Sequence, residues 1–163
     1  MNFYEDIVGG LEERQVRYLI VGGVAVVLHG FVRATADLDV MIALDSKNVD
    51  TFLTLMKEKG YRPKVPVALE DFKSEVKRAT WKKEKGMRVF SLFHPQRSQE
   101  LIDVFVDEPI SFEDAYKRRV KLPLGKRQLS VACVEDLITL KKQAGRPQDL
   151  QDIEALKDIQ KEP

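Results

Sequence analysis

The sequence predicts an α/β fold of the α+β type, in which a mixed central β-sheet is flanked by helices and followed by a short C-terminal helical extension. Apolar strand-like segments alternate with amphipathic segments along the chain. Two strand-like segments, at 87–93 and 100–106, are joined by a short link, which indicates an antiparallel pair. The length of 163 residues and the 44% hydrophobic content suit one domain. We therefore expect a single domain over 1–163, with a core over about 1–110 and a C-terminal hairpin and helices over about 111–163.

Charge and cysteine content narrow the function classes. Charged residues make up 33% of the chain, but the net charge is only +1, so neither a nucleic acid nor a membrane is indicated as partner. The single cysteine, Cys133, excludes an intrachain disulfide and fits a reducing compartment. We expect it to be a small buried residue rather than a nucleophile. No leader sequence and no 18-residue apolar run is apparent, so we expect a cytoplasmic protein.

The first 60 residues show the alternation clearly. Phe3, Ile7 and Leu11 repeat at a spacing of four and predict a first helix, although Gly9 and Gly10 weaken it. Apolar runs and glycine or serine boundaries then predict a strand at 16–21, a short helix at 24–28, a strand at 36–43 and a helix at 46–59.

The rest of the chain continues this order. Prolines make 61–67 extended, and 70–85 is predicted as a basic helix with Phe72, Val76 and Trp81 facing inward. The strands at 87–93 and 100–106 follow. We then expect a helix at 111–118, a hairpin of strands 120–124 and 127–133, and helices at 134–144 and 147–159.

A Gly22-Gly23 pair lies where the strand at 16–21 meets the short helix. Glycine at such a turn lets a phosphate approach free backbone N–H groups. For the pair taken alone, a tight turn without a ligand is the favoured interpretation, because no Walker or dinucleotide-binding motif accompanies it.

Three acids form the second candidate site. Asp37 and Asp39 are one residue apart on a predicted strand, so both point to the same face. Asp103 lies within a very apolar strand, where a carboxylate is costly unless it is paired or bound to metal. If these strands are neighbours, three carboxylates converge in the pattern that Mg²⁺ prefers. Asp107 is the alternative third acid, and a solvated sheet edge is the alternative explanation.

Together these residues resemble a known signature. Gly22-Gly23, thirteen intervening residues and Asp37-Leu38-Asp39-Val40 resemble the motif of the polymerase-β-like nucleotidyltransferase superfamily. The segments around them, together with the C-terminal block at 134–153, look like the small nucleotidyltransferases related to AbiEii-type toxins. The resemblance covers most of the chain and is weakest between residues 44 and 98.

The resemblance implies a nucleotidyltransferase fold and assigns roles to particular residues. It gives metal-binding and catalytic roles to Asp37, Asp39 and Asp103. It gives nucleotide-binding roles to Gly22, Gly23, Arg33, Thr35 and Lys141. It also implies an NTP substrate and Mg²⁺, or Mn²⁺ in its place, as cofactor.

For several other residues the sequence allows both a functional and a structural role. Arg33 could bind phosphate or form a surface salt bridge. Arg146, Asp149 and Asp152 are expected to form an ion-pair network that docks the last helix, and His29 is expected to be structural rather than catalytic.

The resulting function is transfer of an NMP group from an NTP to a hydroxyl of a small molecule, a protein or an RNA. The alternatives are a non-catalytic nucleotide- or partner-binding module on the same fold and the toxin of a toxin–antitoxin pair. An antitoxin or a second copy of the chain is thus a candidate partner. Nucleic-acid binding stays open because of the basic stretch from Lys73 to Arg88.

Overall fold

The computed structural model describes residues 2–162 and places seven strands of that range in one mixed sheet. The strands are β1 (Tyr18–Val21), β2 (Leu38–Ile42), β3 (Arg62–Pro63), β4 (Val89–His94), β5 (Arg97–Phe105), β6 (Val120–Leu124) and β7 (Arg127–Val131). Their spatial order is β3-β4-β5-β2-β1-β7-β6. The β2–β5 and β1–β7 pairs are parallel and the other pairs are antiparallel. The predicted mixed sheet, the β4–β5 pair and the C-terminal hairpin are confirmed.

Seven α-helices surround the sheet in the described range. They are α1 (Phe3–Glu13), α2 (Gly22–Leu28), α3 (Ser46–Glu58), α4 (Glu75–Lys85), α5 (Phe112–Lys117), α6 (Val134–Ala144) and α7 (Pro147–Lys161). A short 3₁₀ helix, Leu69–Lys73, precedes α4. Among residues 2–162, no helix combines the length and the apolar character needed to cross a membrane.

The predicted helix over 70–85 is wrong in one respect, because Ser74 divides it. Ser74 is extended, and its hydroxyl accepts a hydrogen bond from the backbone N–H of Lys77, which makes it the N-cap of α4. The break changes which residues face inward. Val76 is 76% exposed, whereas Arg78 and Trp81 are buried.

One face of the sheet carries the apolar core. Leu38 on β2 lies opposite Ile102 on β5, which lies opposite Leu92 on β4, and all three are fully buried. On the same face Phe90 stacks on Trp81, with ring centroids 5.2 Å apart. This stacking fixes α4 against β4. Side chains one residue along each strand point to the other face.

Two glycines explain why α1 forms in spite of its weak helix propensity. A Cβ at Gly10 would lie 2.8 Å from Cδ1 of Leu55 on α3, and a Cβ at Gly9 would lie 2.7 Å from Nε of Arg127 on β7. Glycine at both positions therefore lets α1 pack closely against α3 and β7 without displacing these side chains. The packing outweighs the cost of glycine in a helix, which is about 1 kcal/mol per residue.

A buried amide joins α3 to the ends of β1 and β2. The Asn48 side chain is buried; its Oδ1 accepts from the Arg17 N–H at 2.8 Å. Its Nδ2 donates to the carbonyl oxygens of Arg17 at 3.1 Å and Ala43 at 2.8 Å. Three backbone groups thus depend on one side chain.

We expect Asn48→Ala to lower the free energy of unfolding by about 3 kcal/mol, because buried polar groups lose their partners. The neighbouring Lys47 is exposed, so Lys47→Ala should change stability by less than about 0.5 kcal/mol. Urea unfolding of both variants measures the difference. Equal stabilities for the two variants would contradict the role given to Asn48.

Candidate active site

Two carboxylates stand side by side on the face opposite the core. The parallel pairing of β2 with β5 places Asp39 directly opposite Asp103. Asp37 lies one residue before β2 begins, not within a strand as predicted from 36–43. Burial, followed by the negative charge of Asp103, raises the pKa of Asp37. The three acids of the sequence prediction therefore lie in one neighbourhood. Asp107 lies beyond the end of β5 and pairs with Lys82 instead.

Ionisation of the Asp39 carboxylate is disfavoured by its surroundings. Burial raises its pKa to about 7, with further contributions from the negative charges of Asp103 and Asp37, although Lys141 opposes the change. Adjacent carboxylates of this kind are stabilised by a cation, and their oxygen atoms suit a hard divalent ion. Within residues 2–162, no three Asp, Glu, His or Cys side chains form a ready-made metal-ligand group. Asp39 and Asp103 fit such an ion as its first ligands, with Asp37 close by.

Gly22 brings a backbone turn into contact with the acids. It follows β1 directly, has a positive φ of 69°, and opens α2. A Cβ at this position would lie only 2.0 Å from Oδ2 of Asp39. No other residue could occupy this position without displacing the carboxylate.

Gly23 gives the same close approach to the loop before β2. A Cβ here would lie 2.5 Å from Oγ1 of Thr35 and 2.8 Å from Nη2 of Arg33. Arg33 and Thr35 therefore rest against the glycine turn. The turn and this loop thus bring together four residues that the resemblance assigns to nucleotide binding, namely Gly22, Gly23, Arg33 and Thr35.

Behind this turn lies a buried network of charges. Lys141 Nζ is 2.9 Å from Oδ2 of Asp152 and 3.3 Å from Oδ1 of Asp149. Nε of Arg33 lies 3.0 Å from Oδ1 of Asp152, and Nε of Arg146 lies 2.8 Å from Oδ2 of Asp149. Both aspartates are completely buried. The expected pairing of Arg146 with Asp149 is present, but Asp152 pairs with Lys141 and Arg33 instead.

The network determines where Lys141 lies. Its side chain is 6% exposed, and its charge lowers the pKa of the nearby Asp39. Arg33 forms the salt bridge that was the alternative interpretation, but at 19% exposure its side chain is largely buried rather than on the surface. Lys141 consequently stands between two groups of acids, one on the sheet and one on α7.

The acids and the network line a common cleft of about 430 Å³. Its lining residues are Val21, Gly22, Asp37, Asp39, Arg88, Val89, Asp103, Phe105, Leu137, Leu140, Lys141, Ala144, Arg146 and Asp149. A second cleft of about 820 Å³ lies at the far ends of β2 and β5, beside α4. We place the site in the smaller cleft, because it holds the carboxylates whose pKa values are raised.

Two other residues take structural positions. Nε2 of His29 lies 2.9 Å from the carbonyl oxygen of Ala132, so the ring links the end of α2 to the segment after β7. Cys133 is buried, and its thiol donates to Asp136 at 3.3 Å. Burial raises the pKa of the Cys133 thiol to about 11, so it stays protonated at neutral pH.

Two residues near the acids were not predicted from the sequence. The Ser91 hydroxyl donates to Oδ1 of Asp103 at 2.6 Å. The Tyr4 hydroxyl donates to the carbonyl oxygen of Ala36 at 2.9 Å, beside Asp37. Only the register of the β4–β5 pair could have identified Ser91, and no sequence signal marks Tyr4.

Comparison with known families now identifies the chain. Residues 5–161 match a family described as nucleotidyltransferase of unknown function, DUF6036. The protein belongs to this nucleotidyltransferase family. The predicted superfamily is thereby confirmed, whereas the finer likeness to AbiEii-type proteins stays a prediction. No functionally curated protein matches the sequence.

Solved structures share the fold at low sequence identity. The lincosamide antibiotic adenylyltransferase LnuA, bound to lincomycin, has a TM-score of 0.62 and 18% identity over 96% of both chains. ANT(2'')-Ia in complex with adenylyl-2''-tobramycin has a TM-score of 0.56 and 13% identity, over 96% of this chain and 90% of that one. A nucleotidyltransferase-like protein from Paracoccidioides brasiliensis has a TM-score of 0.54 and 17% identity, over 93% and 72%.

Lys141 and Arg146 should contribute unequally to the stability of the fold. Lys141 is buried and serves two buried acids, whereas the Arg146 side chain is 72% exposed and serves one. We expect Lys141→Met to cost about 3 kcal/mol of unfolding free energy, since it removes the shared cation from two completely buried carboxylates at once. Arg146→Met should cost about 1 kcal/mol. Chemical denaturation of the two variants tests this, and a larger loss for Arg146→Met would refute the assignment.

Proposed function

We propose that this protein transfers the nucleoside monophosphate group of an NTP to a hydroxyl group, with the help of a divalent cation. The observation that supports this most strongly is the placement of Asp39 and Asp103 side by side, in contact with the Gly22 turn. A phosphate-binding turn and a pair of ion-binding carboxylates are the two parts that nucleotidyl transfer requires.

The NTP phosphates would lie between the glycine turn and Lys141. Backbone N–H groups at Gly22 and Gly23 can approach phosphate oxygens closely because no side chains intervene. Lys141 supplies a positive charge next to Asp39. Arg33 and Thr35 lie against Gly23 and shape the turn.

Asp39 and Asp103, with Asp37 nearby, would hold the divalent ion, which we propose to be Mg²⁺. When bound, such an ion neutralises the carboxylates and stabilises negative charge on phosphate oxygens. The oxygen-only ligand set favours Mg²⁺ or Mn²⁺ over softer metals.

The chemical step is an in-line displacement at the α-phosphorus. The acceptor hydroxyl oxygen forms a bond to the α-phosphorus as the bond to the β-phosphate oxygen breaks, and pyrophosphate leaves. The hydroxyl proton passes to the Asp103 carboxylate. Ser91, which donates to Oδ1 of Asp103, leaves the other oxygen free to receive that proton.

Two neighbours of this fold hold antibiotics, namely lincomycin and adenylylated tobramycin. A small hydroxyl-bearing acceptor is therefore compatible with a cleft of about 430 Å³. We propose an acceptor of this size range rather than a protein surface.

Binding of an NTP with Mg²⁺ should raise the melting temperature by about 5–10 °C at saturating ligand, since a hundredfold excess over Kd stabilises by about 2.7 kcal/mol. We expect Asp39→Asn to abolish the shift without lowering the melting temperature of the free protein, because the substitution removes charge repulsion. Asp158→Asn, at an exposed site on α7, is the control and should keep the shift. A shift that persists in Asp39→Asn would contradict the proposal.

Ser91→Ala should lower kcat for transfer about tenfold while the KM for NTP stays within about twofold, since Ser91 orients Asp103 rather than the nucleotide. Ser91→Thr keeps the hydroxyl and should restore most of the rate. Ser98→Ala, at an exposed position of β5, is the matched control. Steady-state kinetics with labelled NTP separates the two constants. An unchanged kcat in Ser91→Ala would show that Ser91 does not position the base.

A further inference from the structure

A row of paired residues runs across the sheet from β1 to β4 and includes the acids. The glycine turn occupies the β1 end of this row, and the β4 end is not covered by it. Val21, which precedes that turn, lies opposite Asp39, which lies opposite Asp103, which lies opposite Ser91. Beyond Ser91 comes the segment after β3. If the NTP phosphates bind at the glycine end, the acceptor must approach the acids from the β3–β4 end.

Lys64 extends this row to the edge of the sheet. Its backbone N–H donates to the carbonyl oxygen of Ser91 at 2.9 Å. Pro63 is opposite the buried Leu92. Because side chains alternate along a strand, Lys64 belongs to the face of Ser91 and Asp103.

Arg88 adds a second cation at the same end. It lies just before β4, is exposed, and lines the cleft together with Val89 and Phe105. Lys64, next to Ser91, and Arg88, in the lining of the cleft, thus both lie on the β4 side of the acids.

These two cations differ from three lysines of the neighbouring stretch, each of which pairs with a carboxylate. Lys73 pairs with Asp50, Lys77 with Asp71, and Lys82 with Asp107. In the part of the chain that the structure describes, neither Lys64 nor Arg88 has a carboxylate within 4.0 Å. Three lysines of the basic stretch are therefore neutralised by neighbouring carboxylates, whereas the positive charge of Lys64 and Arg88 is left available.

We propose that the acceptor carries an anionic group, a phosphate ester, near its reactive hydroxyl, and that Lys64 and Arg88 bind this group. The inference rests on the proposed nucleotidyl transfer and specifies its acceptor. Arg88 offers a fork of donors that matches phosphate oxygens, and Lys64 offers a compact charge. A polycationic acceptor would be repelled by the same two side chains.

Binding to the protein loaded with a non-hydrolysable ATP analogue and Mg²⁺ tests the inference, because the analogue blocks the triphosphate site. The probes are ribose 5-phosphate, neutral ribose and cationic glucosamine, titrated by NMR. We expect ribose 5-phosphate to bind at least about tenfold more tightly than the other two sugars. Lys64→Gln and Arg88→Gln should each weaken it about fivefold or more, whereas Lys47→Gln, on α3, should not.

The source of the phosphate ester is resolved by a second probe, an RNA octamer with a free 3′ hydroxyl. Tighter binding of the octamer than of ribose 5-phosphate, lost in Lys64→Gln, would assign the anionic group to a nucleic-acid end. The reverse order would assign it to a small phosphorylated molecule. Either result supports a phosphate-bearing acceptor.

The inference is overturned if ribose 5-phosphate binds no better than ribose or glucosamine, or if the two glutamine variants leave its affinity unchanged. It is also overturned if these variants weaken the ATP analogue instead, since the cations would then serve the nucleotide. The affinity of the analogue is measured first. Failure of the analogue to bind the wild-type protein would contradict nucleotidyl transfer itself, and so would be distinguished from failure of the acceptor class alone.

Discussion

The repulsion between two neighbouring carboxylates is the constraint on which the rest of this site depends. Parallel pairing of β2 with β5 places Asp39 and Asp103 side by side. Both strands are fixed by the fully buried residues on their other face, such as Leu38 and Ile102, so neither can slip without exposing the core. The hydrophobic pattern of the sheet thereby holds two like charges together, which is unfavourable unless a cation joins them.

The C-terminal helices provide part of the compensating charge. Lys141 on α6 lies near Asp39, but a buried lysine is itself costly, and Asp149 and Asp152 on α7 neutralise it. Arg33, from the loop before β2, closes the network. The site consequently draws on both parts of the predicted division near residue 110. The helices after the hairpin do more than cover the sheet, because they fix the cation that faces the acids.

The sequence contained most of the local structure and much of the site. Hydrophobic periodicity located the helices and strands, and the spacing between Gly22-Gly23 and the acid pair indicated which residues would meet. Contacts that depend on how helices and strands pack could not be predicted from the sequence. The pairing of Asp152 with Arg33 spans 119 positions, and the Ser91–Asp103 hydrogen bond depends on hairpin register. Local spacing likewise failed at Val76, because Ser74 ended one helix and began another.

The most direct test of the central claim follows the Asp39 carboxyl carbon by NMR as pH is varied, with and without Mg²⁺. Burial and the neighbouring charges disfavour ionisation, so the metal-free protein should show a midpoint near a pKa of about 7. Mg²⁺ favours the ionised form and should move that midpoint downward by one pH unit or more, which corresponds to about 1.4 kcal/mol. Asp103→Asn should also lower the midpoint in the metal-free protein. An ordinary aspartate midpoint that responds neither to Mg²⁺ nor to Asp103→Asn would contradict a cation-binding carboxylate pair.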